Sequence, residues 1–549
     1  MIVSNPDFFS PFTTDTLLEI RTSGKQKMPH LNVMTGIDKK ICREPMKVSK
    51  LGLEGDWHDL TFHGGPDKAI LGYCSAHYAD WKATHPSSAG KFVPGGFGEN
   101  FVTAHMNERN VCIGDIISVG KEVVLQVSLP RQPCYKLNHR FAIKDFAPTT
   151  YNSSRTGWYY RVLKEGTVEM GDELKLVERG WPDWTIERVQ QYLHREKDNL
   201  EMNEKLAGID ALGEESRGMF RGRVAKAKKK AAPKVEPTWR DFKVTERKME
   251  TPRIVSLTLE TTDLNTSLDK ELLGAHARLK LPNGLLRTYS IAGGDEAGVG
   301  MGNKFQLGIA LDENSRGGSQ YIHDKVKVGD ILPVSNISTD FNPKFSASNH
   351  LFIVGGIGIT AFLPMMEAMA GINWSVQLHY AVRSADDIPF KSRVHSFDET
   401  VIYDKSKGER MDIAKVIETR PWGSHVYVCG PTRLMKAAKA AVTAAGLAED
   451  EVHYEAFSAD NTGDPFEVEI ANKGGRVLKV DGDESLLEAL RREVEDLASS
   501  CEVGNCGTCK VTLKSGRVEH RGTALCSADQ NDGMLACVSR GIGKIVIEV

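Results

Sequence analysis

The sequence has 549 residues, 40% of them hydrophobic and 26% charged, and its formal net charge is −3. This length exceeds one hydrophobic core and predicts several domains. The small net charge gives no indication of nucleic-acid binding, and no apolar run reaches the length of a membrane span. The first residues lack the basic and apolar regions of a signal peptide. Ten cysteines in a chain of this length do not indicate a disulfide framework, so we expect a cytoplasmic protein.

The N-terminal part of the chain carries a series of short glycine-, proline- and cysteine-containing runs, with a helix expected around Tyr78–Trp81. The runs are F-H-G-G-P-D-K-A from Phe62, G-G-F-G-E-N-F from Gly95, V-C-I-G-D from Val111, P-R-Q-P-C-Y-K-L from Pro130 and R-T-G-W from Arg155. In this order, over roughly residues 1–180, they resemble a MOSC domain, the module found at the C-terminus of molybdenum cofactor sulfurases. The resemblance is to the bacterial single-domain branch, and it implies a mostly-β barrel followed by a short helical annex.

The MOSC resemblance implies a molybdenum–pterin cofactor whose metal is held by one cysteine thiolate. In the P-R-Q-P-C run that cysteine is Cys134, which is therefore the predicted catalytic residue and molybdenum ligand. The same resemblance offers His63 and Lys68 as anion contacts to the pterin phosphate. Arg131 is a further expected cofactor contact, and Arg155 is a phosphate or substrate contact.

The residues themselves leave other interpretations of this region open. Cys134 is expected between two strand-like stretches, where Arg131 and Lys136 would favour the thiolate form, but a buried and inert cysteine fits the same position. His63 also fits a turn histidine whose ring is satisfied by the backbone. Three further cysteines have no comparable context and are expected to be core residues: Cys42, Cys74 and Cys112.

The helical annex is expected over Trp184–Arg223, and the segment after it changes composition. Ile186, Val189 and Leu193 recur at helical spacing on one face, which predicts a structural role for the annex. Ala225–Pro237 reads A-K-A-K-K-K-A-A-P-K-V-E-P and has no aromatic residue. This composition predicts a semi-rigid solvated linker, with a docking patch for an acidic partner as the alternative.

A candidate flavin site follows the strand-like stretch Ala277–Leu281. Arg287-Thr288-Tyr289-Ser290 comes first and Gly317-Gly318-Ser319 soon after. The arginine can pair with a phosphate, the tyrosine offers a flat face to an isoalloxazine ring, and the serine can hydrogen-bond the edge of that ring. The glycines expose backbone N–H groups to an anion. Each element alone is a weak signal, but together they resemble the flavin barrel of the ferredoxin reductase superfamily.

A candidate nucleotide site begins at the apolar run Leu351–Val354. It leads into Gly355-Gly356-Ile357-Gly358-Ile359-Thr360, and a strand that opens a helix through a glycine turn places backbone amides at a diphosphate. A plain tight turn is the alternative. The second half of the unit is Val426–Val428 followed by Cys429-Gly430-Pro431, a turn that lies beside the nicotinamide in this superfamily. Cys429 is therefore expected to contact the nicotinamide rather than to act as a catalytic thiol.

Two further segments complete this comparison. Glu455-Ala456-Phe457 resembles the terminal E-[S/A]-F of the superfamily, whose aromatic residue lies over the flavin region. After the expected strand Val376–Val382, the turn Arg383-Ser384-Ala385-Asp386-Asp387 contains both an arginine that suits a 2′-phosphate and aspartates that suit a 2′-hydroxyl. NADH is favoured as the donor, with NADPH as the alternative.

The C-terminal domain is expected to start after the turn-rich stretch Ser458–Asp464. Phe466–Ile470 alternates like a half-buried strand and Val477–Val480 reads as its hairpin partner. Ser485 and Glu488 form a capping-box signature before a helix with an inward face of Leu486, Leu487, Leu490 and Val494. Another strand is expected over Lys510–Leu513.

Four cysteines in this domain, Cys501, Cys506, Cys509 and Cys537, are separated by four, two and 27 residues. This is the spacing with which plant-type ferredoxins hold a [2Fe–2S] cluster. A zinc site is the alternative, although zinc motifs usually pair two C-x2-C elements. Cys526 is expected to be a spare cysteine. The run C-E-V-G-N-C-G-T-C-K and the later L-A-C-V-S-R resemble the ferredoxin module of the phthalate dioxygenase reductase family.

A one-electron cluster cannot take a hydride from a nicotinamide, and a flavin is the usual converter. The domain order resembles phthalate dioxygenase reductase, which implies FMN, with FAD as the alternative. The expected fold is multidomain: a MOSC barrel over 1–180, an annex over 181–224, a linker over 225–237, a flavin-binding barrel over 238–345, an α/β nucleotide-binding domain over 346–458 and an α+β β-grasp ferredoxin domain over 459–549.

These expectations combine into a self-contained oxidoreductase. Electrons would pass from NADH through FMN and the cluster to molybdenum, which would reduce N-hydroxylated compounds. In the rival interpretation, the chain is a reductase component that serves a separate oxygenase-type partner and carries the MOSC half as a binding or sulfur-carrier module. A third interpretation is a diaphorase whose MOSC domain is only structural.

Overall fold

The computed structural model describes most of the chain. The described residues are 11–29, 31, 33–58, 64–231, 239–263, 273–294, 303–311, 317–339, 347, 349–457, 462–494, 497–499, 501–505, 507–522, 524–525 and 529–549. The chain divides into two compact units: the first is Met1–Lys234 with Phe345–Ser348, and the second is Val235–Lys344 with Asn349–Val549.

The first unit contains a closed β-barrel with short helices in its connections. Strand β13 pairs with both β9 and β1, which closes the sheet in the order β13-β9-β10-β11-β7-β8-β1-β4. A smaller sheet has the order β12-β5-β6, and β2 pairs with β3. The bounds are β1 Thr14–Thr22, β2 Gln26–Lys27, β3 Met34–Thr35, β4 Lys40–Cys42, β5 Met46–Ser49, β6 Gly52–Leu53, β7 Ile70–Cys74, α1 His77–Thr84, β8 Phe101–Thr103, β9 Ile116–Val119, β10 Val123–Pro130, α2 Lys136–Phe141, α3 Phe146–Asn152, β11 Trp158–Lys164, β12 Gly166–Val168 and β13 Glu173–Glu178.

A helical annex packs on this barrel and shares its hydrophobic core. The predicted helix face is buried, since Ile186, Val189 and Leu193 are each at most 1% exposed. The helices are α4 Ile186–Gln190, extended by a π-helical turn over Gln191–Arg195, then α5 Leu200–Ala207 and α6 Glu214–Ala231. Helix α6 continues into the segment expected to be a linker, because alanine and lysine are good helix formers. The remaining residues of that segment lie outside the described ranges.

The second unit begins with an antiparallel barrel, as expected for a flavin-binding domain. Its strands close in the order β14-β15-β18-β17-β16-β19, and alternating residues such as Val255, Leu257 and Leu259 fill the interior. The bounds are β14 Arg240–Thr251, β15 Ile254–Thr261, β16 Ala275–Lys280, β17 Leu286–Gly293, β18 Lys304–Ala310, α7 Gly318–Lys325 and β19 Ile331–Thr339.

The next part of this unit is a parallel sheet with helices, in the strand order β22-β21-β20-β23-β24. Its central strand β20 is buried along its whole length, as a central parallel strand requires. The bounds are β20 Asn349–Gly355, α8 Ile359–Gly371, β21 Ser375–Val382, α9 Lys391–Val394, β22 Glu399–Asp404, α10 Ile413–Glu418, β23 Ser424–Cys429, α11 Thr432–Ala444 and β24 Val452–Glu455.

The C-terminal part is a mixed sheet with the order β26-β25-β29-β27-β28. The predicted hairpin is present, with Phe466 opposite Val480, and the predicted helix starts at the Ser485 cap. The strand expected over Lys510–Leu513 runs on to Glu519. The bounds are β25 Phe466–Ile470, β26 Arg476–Val480, α12 Leu486–Arg491, β27 Lys510–Glu519, β28 Gly533–Leu535 and β29 Arg540–Glu548.

The multidomain fold class expected from the sequence is confirmed. Among the described residues, the structure contains no helix with the length and hydropathy that a membrane span requires.

The capping box of α12 is expected to stabilise the C-terminal domain. Ser485 Oγ accepts a hydrogen bond from Glu488 N at 3.2 Å, and Glu488 Oε2 accepts one from Ser485 N at 2.9 Å. We expect Ser485→Ala to lower the free energy of unfolding of this domain by about 1 kcal/mol. Urea-induced bleaching of the cluster absorbance measures it. Ser515→Ala, at an exposed position of the same domain, is the control, and equal midpoints for the two variants would contradict the expectation.

Candidate functional site

A single cleft of 1860 Å³ in the second unit collects most of the residues predicted to bind flavin and nucleotide. The cleft also reaches Cys501, a predicted cluster ligand. Gly317 and Cys429 are adjacent in sequence to lining residues. The predicted residues that line the cleft are Arg287, Thr288, Tyr289, Ser290, Gly318, Ser319, Gly355, Gly356, Gly358, Thr360, Gly430, Pro431, Phe457 and Cys501.

Strand β17 presents the Arg287–Ser290 motif to the cleft, and the glycine pair lies against it at the start of helix α7. Arg287 packs so closely on Gly318 that a Cβ there would lie 2.5 Å from Arg287 Nε. Gly317 caps the helix with a φ of 83°, a left-handed conformation that favours glycine. The guanidinium and the first amides of α7 are thus held together, which suits a phosphate. Burial raises the pKa of Tyr289 to about 12, so this phenol stays neutral at physiological pH.

The two glycine turns of the nucleotide-binding part pack against each other. A Cβ on Gly355 would lie 2.8 Å from Pro431 Cδ, and one on Gly430 would lie 3.0 Å from Gly355 N. Side chains at these positions would push apart the ends of β20 and β23. The G-G-I-G run and the C-G-P run are therefore halves of one surface at the carboxyl edge of the parallel sheet, where open α/β sheets bind ligands.

A hydrogen bond links this sheet edge to the flavin barrel. Ser290 Oγ donates to Glu455 Oε1 at 2.7 Å, and Glu455 is opposite Cys429 in the pairing of β23 with β24. Burial, reinforced by the Glu455 charge, raises the pKa of the Cys429 thiol well above its usual value. A protonated thiol is a poor nucleophile, and Cys429 is fully buried, which argues against catalysis by Cys429; contact with the nicotinamide stays a prediction.

The end of the cleft expected to receive the ribose carries more positive charge than the sequence indicated. Arg383 and Lys405 directly follow the neighbouring strands β21 and β22, and both line the cleft. Asp404 is buried and accepts hydrogen bonds from the backbone N–H groups of Ala385 and Ser406. Asp387 Oδ1 accepts a bond from Thr251 Oγ1 at 3.4 Å.

Three of the four predicted cluster ligands, Cys501, Cys509 and Cys537, lie in the described part of the C-terminal domain. A hydrogen bond with Cys509, burial, and the charges of Cys509 and Cys501 raise the pKa of the Cys537 thiol. Asn505 N donates to Cys501 Sγ at 3.3 Å, as backbone amides do around cluster sulfurs. These thiols fit a [2Fe–2S] cluster. Cys506 and Cys526 lie outside the described residues.

In the first unit, a cavity of 440 Å³ is bordered by Gly64–Lys68, Leu129 and Glu215. Lys68, whose side chain is 10% exposed, forms an ion pair with Glu215 of helix α6, and Lys68 Nζ lies 5.9 Å from the centre of the Tyr159 ring. The annex therefore contributes a carboxylate to the pocket, which its predicted structural role did not include.

Tyr159, whose ring lies beside Lys68 of this cavity, has Arg131 within hydrogen-bonding reach of its hydroxyl. Burial raises the pKa of Tyr159 to about 12, the charge of Arg131 and its hydrogen bond act in the opposite direction, and the charges of Cys134 and Glu215 raise it further. These groups are therefore neighbours. Arg131 is 4% exposed, and its buried Nη1 has no hydrogen-bond partner among the described residues. Lys68 and Arg131 together fit an anionic ligand beside the half-buried Cys134 thiol.

Some predictions for this region fit the structure less well. Cys134 does not lie between two strands, because strand β10 precedes it but helix α2 starts two residues later. Arg155 pairs with Asp80 at 3.2 Å and lies 5.2 Å from the Trp81 ring centre, so an anion bound there would have to replace Asp80. His63 lies outside the described residues. The spare cysteines Cys74 and Cys112 are buried, as expected, whereas Cys42 is only half-buried.

Sequence reasoning missed Glu215 and Tyr159 as parts of the first site, and Lys405 and Asn505 as parts of the second. Glu215 lies in the annex, where only the apolar face of the helices gave a signal. Lys405 directly follows the parallel strand β22. Ligands of such sheets bind at the carboxyl ends of the strands, so the end of this strand could have indicated Lys405.

Arg287→Ala is expected to weaken flavin retention by on the order of 1.5–3 kcal/mol, the worth of a hydrogen bond to a charged group. Flavin occupancy after gel filtration measures the effect. Lys280→Ala, an exposed cation on the neighbouring strand β16, is the control and should retain its flavin. Unchanged occupancy in Arg287→Ala would place the phosphate elsewhere.

Family models match three segments of the chain: the MOSC domain over residues 59–175, the YiiM-like, 3-alpha helix domain over 184–227 and the 2Fe-2S iron-sulfur cluster binding domain over 468–540. A reductase of Gibberella moniliformis (strain M3125 / FGSC 7600) is 33% identical over 97% of this chain and 95% of its own length.

Two bacterial proteins match about half of the chain. The heme-dependent oxidative N-demethylase beta subunit of Ectopseudomonas mendocina (strain ymp) is 34% identical over 50% of this chain and 87% of its own length. The phthalate 4,5-dioxygenase oxygenase reductase subunit of Pseudomonas putida is 32% identical over 50% and 86%.

The described cleft, the converging cysteines and these relatives agree on an oxidoreductase that passes electrons from a pyridine nucleotide through a flavin to a [2Fe–2S] cluster. The chain belongs to the same family as the Gibberella reductase, and it is a MOSC domain with a YiiM-like helical annex fused to a reductase of the phthalate dioxygenase reductase type.

Proposed function

We propose that the MOSC half is the terminal electron acceptor of this chain and that it reduces N-hydroxylated compounds such as hydroxylamines and amidoximes. The observation that carries the proposal is the grouping of Lys68, Arg131 and Cys134 around Tyr159, in a chain that also contains its own reductase. Such a chain supplies electrons without a separate reductase subunit.

In this proposal Cys134 holds molybdenum of a pterin cofactor, and Lys68 and Arg131 bind the phosphate of that cofactor. His63 and Arg155 are further proposed contacts, and an anion at Arg155 would have to replace Asp80. When bound, molybdenum would catalyse the removal of oxygen from nitrogen. In this reaction the hydroxylamine takes up two electrons and two protons, the N–O bond breaks, and an amine and water are released. Lys68 is paired with Glu215, so a phosphate bound there would have to replace this carboxylate as its partner.

On the donor side, we propose FMN at Arg287, Thr288, Tyr289, Ser290 and the Gly317–Ser319 turn, with FAD as the alternative. The pyridine nucleotide is proposed to lie on the Gly355–Thr360 turn and on Cys429, Gly430 and Pro431, with Phe457 over the flavin region. All four cluster cysteines, Cys506 included, are proposed iron ligands. We also propose that the domains have the six limits that the sequence predicts.

The described cysteines form no disulfide, which supports a reducing compartment, and we propose a cytoplasmic location. The small-molecule substrate and the pyridine nucleotide are then the proposed partners.

A second candidate function is favoured by the named roles of two relatives, which are a beta subunit of an N-demethylase and a reductase subunit of a dioxygenase system. In it, the cluster delivers electrons to a separate oxygenase-type protein and the MOSC half is a binding or sulfur-carrier module.

Replacement of Cys134 separates the two functions. In protein produced by a host that makes the pterin cofactor, we expect Cys134→Ser to lose molybdenum, measured per chain by mass spectrometry, and to lose NADH-dependent reduction of a hydroxylamine. Transfer from NADH to cytochrome c should persist, because it needs only the flavin and the cluster.

Cys112→Ser is the matched control, since Cys112 is 1% exposed and is not part of the proposed site. It should keep both molybdenum and activity, with only a small loss of stability. Full molybdenum content and N-reductive activity in Cys134→Ser would contradict the terminal-reductase function and favour the second candidate.

The donor nucleotide is proposed to be NADH, and NADPH is the alternative that Arg383 and Lys405 support. If NADH is the donor, Arg383→Ala should leave kcat/KM for NADH within about threefold of wild type and lower any residual use of NADPH by roughly tenfold or more, the worth of one charge-assisted contact. Lys391→Ala, an exposed cation of α9 outside the cleft, is the control. A wild-type preference for NADPH that Arg383→Ala removes would overturn the choice of NADH.

A further inference from the structure

One buried arginine of the flavin barrel reaches the loop that carries the cluster ligands. Arg278 lies on β16, opposite Thr288 of the flavin motif on β17, and its side chain is 9% exposed. Its Nη1 donates to the backbone carbonyl of Ser499 at 3.1 Å, and its Nη2 donates to Glu502 Oε1 at 3.2 Å. The same strand pair thus supports the flavin motif and holds the residues on both sides of Cys501.

The loop side of this contact is held in an unusual conformation. Glu502 directly follows Cys501 and has a φ of 57°, which L-residues with a side chain rarely adopt. Its carboxylate also accepts a bond from Arg491 at the end of helix α12, at 2.6 Å, and the same Arg491 nitrogen donates to Ser499 Oγ at 2.6 Å. Two arginines therefore share Glu502, one from the flavin barrel and one from the ferredoxin domain.

A second contact holds the other end of the loop. Asn505 Nδ2 donates to the carbonyl of Ala456 at 2.8 Å, and Ala456 N donates to Asn505 Oδ1 at 3.4 Å. Ala456 stands between Glu455, which accepts the Ser290 hydrogen bond, and Phe457, which lines the cleft. Because Asn505 N also donates to Cys501 Sγ, this contact ties a ligand sulfur to the wall of the flavin cleft.

We propose that Arg278 and Asn505 are positioning residues that clasp the cluster loop to the flavin cleft, so that the cluster is reduced by the flavin of its own chain without a movement of the ferredoxin domain. Each NADH delivers two electrons to the flavin and each cluster takes one, so the cluster must be reduced twice per turnover. Electron tunnelling slows exponentially with distance, and a loose loop would therefore slow this step specifically. The clasp serves the reductase whichever acceptor follows the cluster.

The two hydrogen bonds of the Arg278 side chain suggest how the proposal can be tested. Arg278 uses two nitrogens on two acceptors, which a lysine cannot reproduce with one ammonium group. In full-length protein loaded with flavin and cluster, anaerobic stopped-flow mixing with NADH separates bleaching of the flavin from reduction of the cluster. We expect Arg278→Gln and Asn505→Ala to leave flavin bleaching within about twofold and to slow cluster reduction by roughly tenfold or more, as small misplacements do.

Arg278→Lys should recover only part of the rate. Hydrogen–deuterium exchange of peptides covering 497–505 gives a readout independent of turnover, and it should become faster in Arg278→Gln and Asn505→Ala. Arg476→Gln removes an ion pair between the exposed Arg476 and Glu493 of the same domain, and it should match wild type in both measurements.

Three outcomes would contradict the proposed positioning role of Arg278 and Asn505. The first is an unchanged rate of cluster reduction in Arg278→Gln and Asn505→Ala with accelerated exchange, because the loop would then be loosened without consequence. The second is an equal slowing of flavin bleaching and cluster reduction, which would assign Arg278 to flavin binding. The third is a wild-type rate of cluster reduction in Arg278→Lys, which would mean that Arg278 contributes only its positive charge. If Arg278→Gln does not fold, Asn505→Ala decides by the same criteria.

Discussion

The hydrogen bond from Ser290 to Glu455 joins the two halves of the nucleotide and flavin cleft at the point where their predicted binding motifs meet. It brings the carboxyl edge of a parallel sheet to the motif strand of an antiparallel barrel. A hydrogen bond to a carboxylate at a half-buried site is stronger than a neutral one. Glu455 also lies beside Cys429 in the sheet, so the same carboxylate helps to keep that thiol protonated. One carboxylate thus contacts the motif strand of the barrel and acts on the buried thiol of the parallel sheet.

A different constraint applies in the first unit, where the nearly buried Lys68 borders an open cavity. A buried cation without a partner raises the free energy of the folded state. Glu215 of the annex lowers this penalty because it forms an ion pair with Lys68. The start of helix α6 is fixed for this purpose by two bonds to the barrel, from Gly213 N to Ser128 O at 2.8 Å and from Glu214 N to Asp67 Oδ2 at 3.1 Å. The annex is therefore part of the pocket as well as part of the core.

The sequence alone determined the features that rest on local chemistry. The spacing of Cys501, Cys506 and Cys509 predicted most of the cluster ligands, and the capping box predicted the start of α12, because each of these patterns needs only residues a few positions apart. The glycine runs predicted the nucleotide turns for the same reason. The fold class followed, since resemblance of these local motifs fixes the kind of domain that carries them.

Only the tertiary structure decided which distant residues meet. Arg278 and Glu502 are 224 positions apart, and Ser290 and Glu455 are 165 apart. Neither Arg278 nor Glu215 belongs to a run with a local signal, since a single charged residue on a strand or a helix surface looks the same whether it faces solvent or a partner. The pairing depends on how strands and helices pack, which periodicity does not encode. For this reason the sequence predicted the redox groups, and the structure was needed to find the side chains that hold them together.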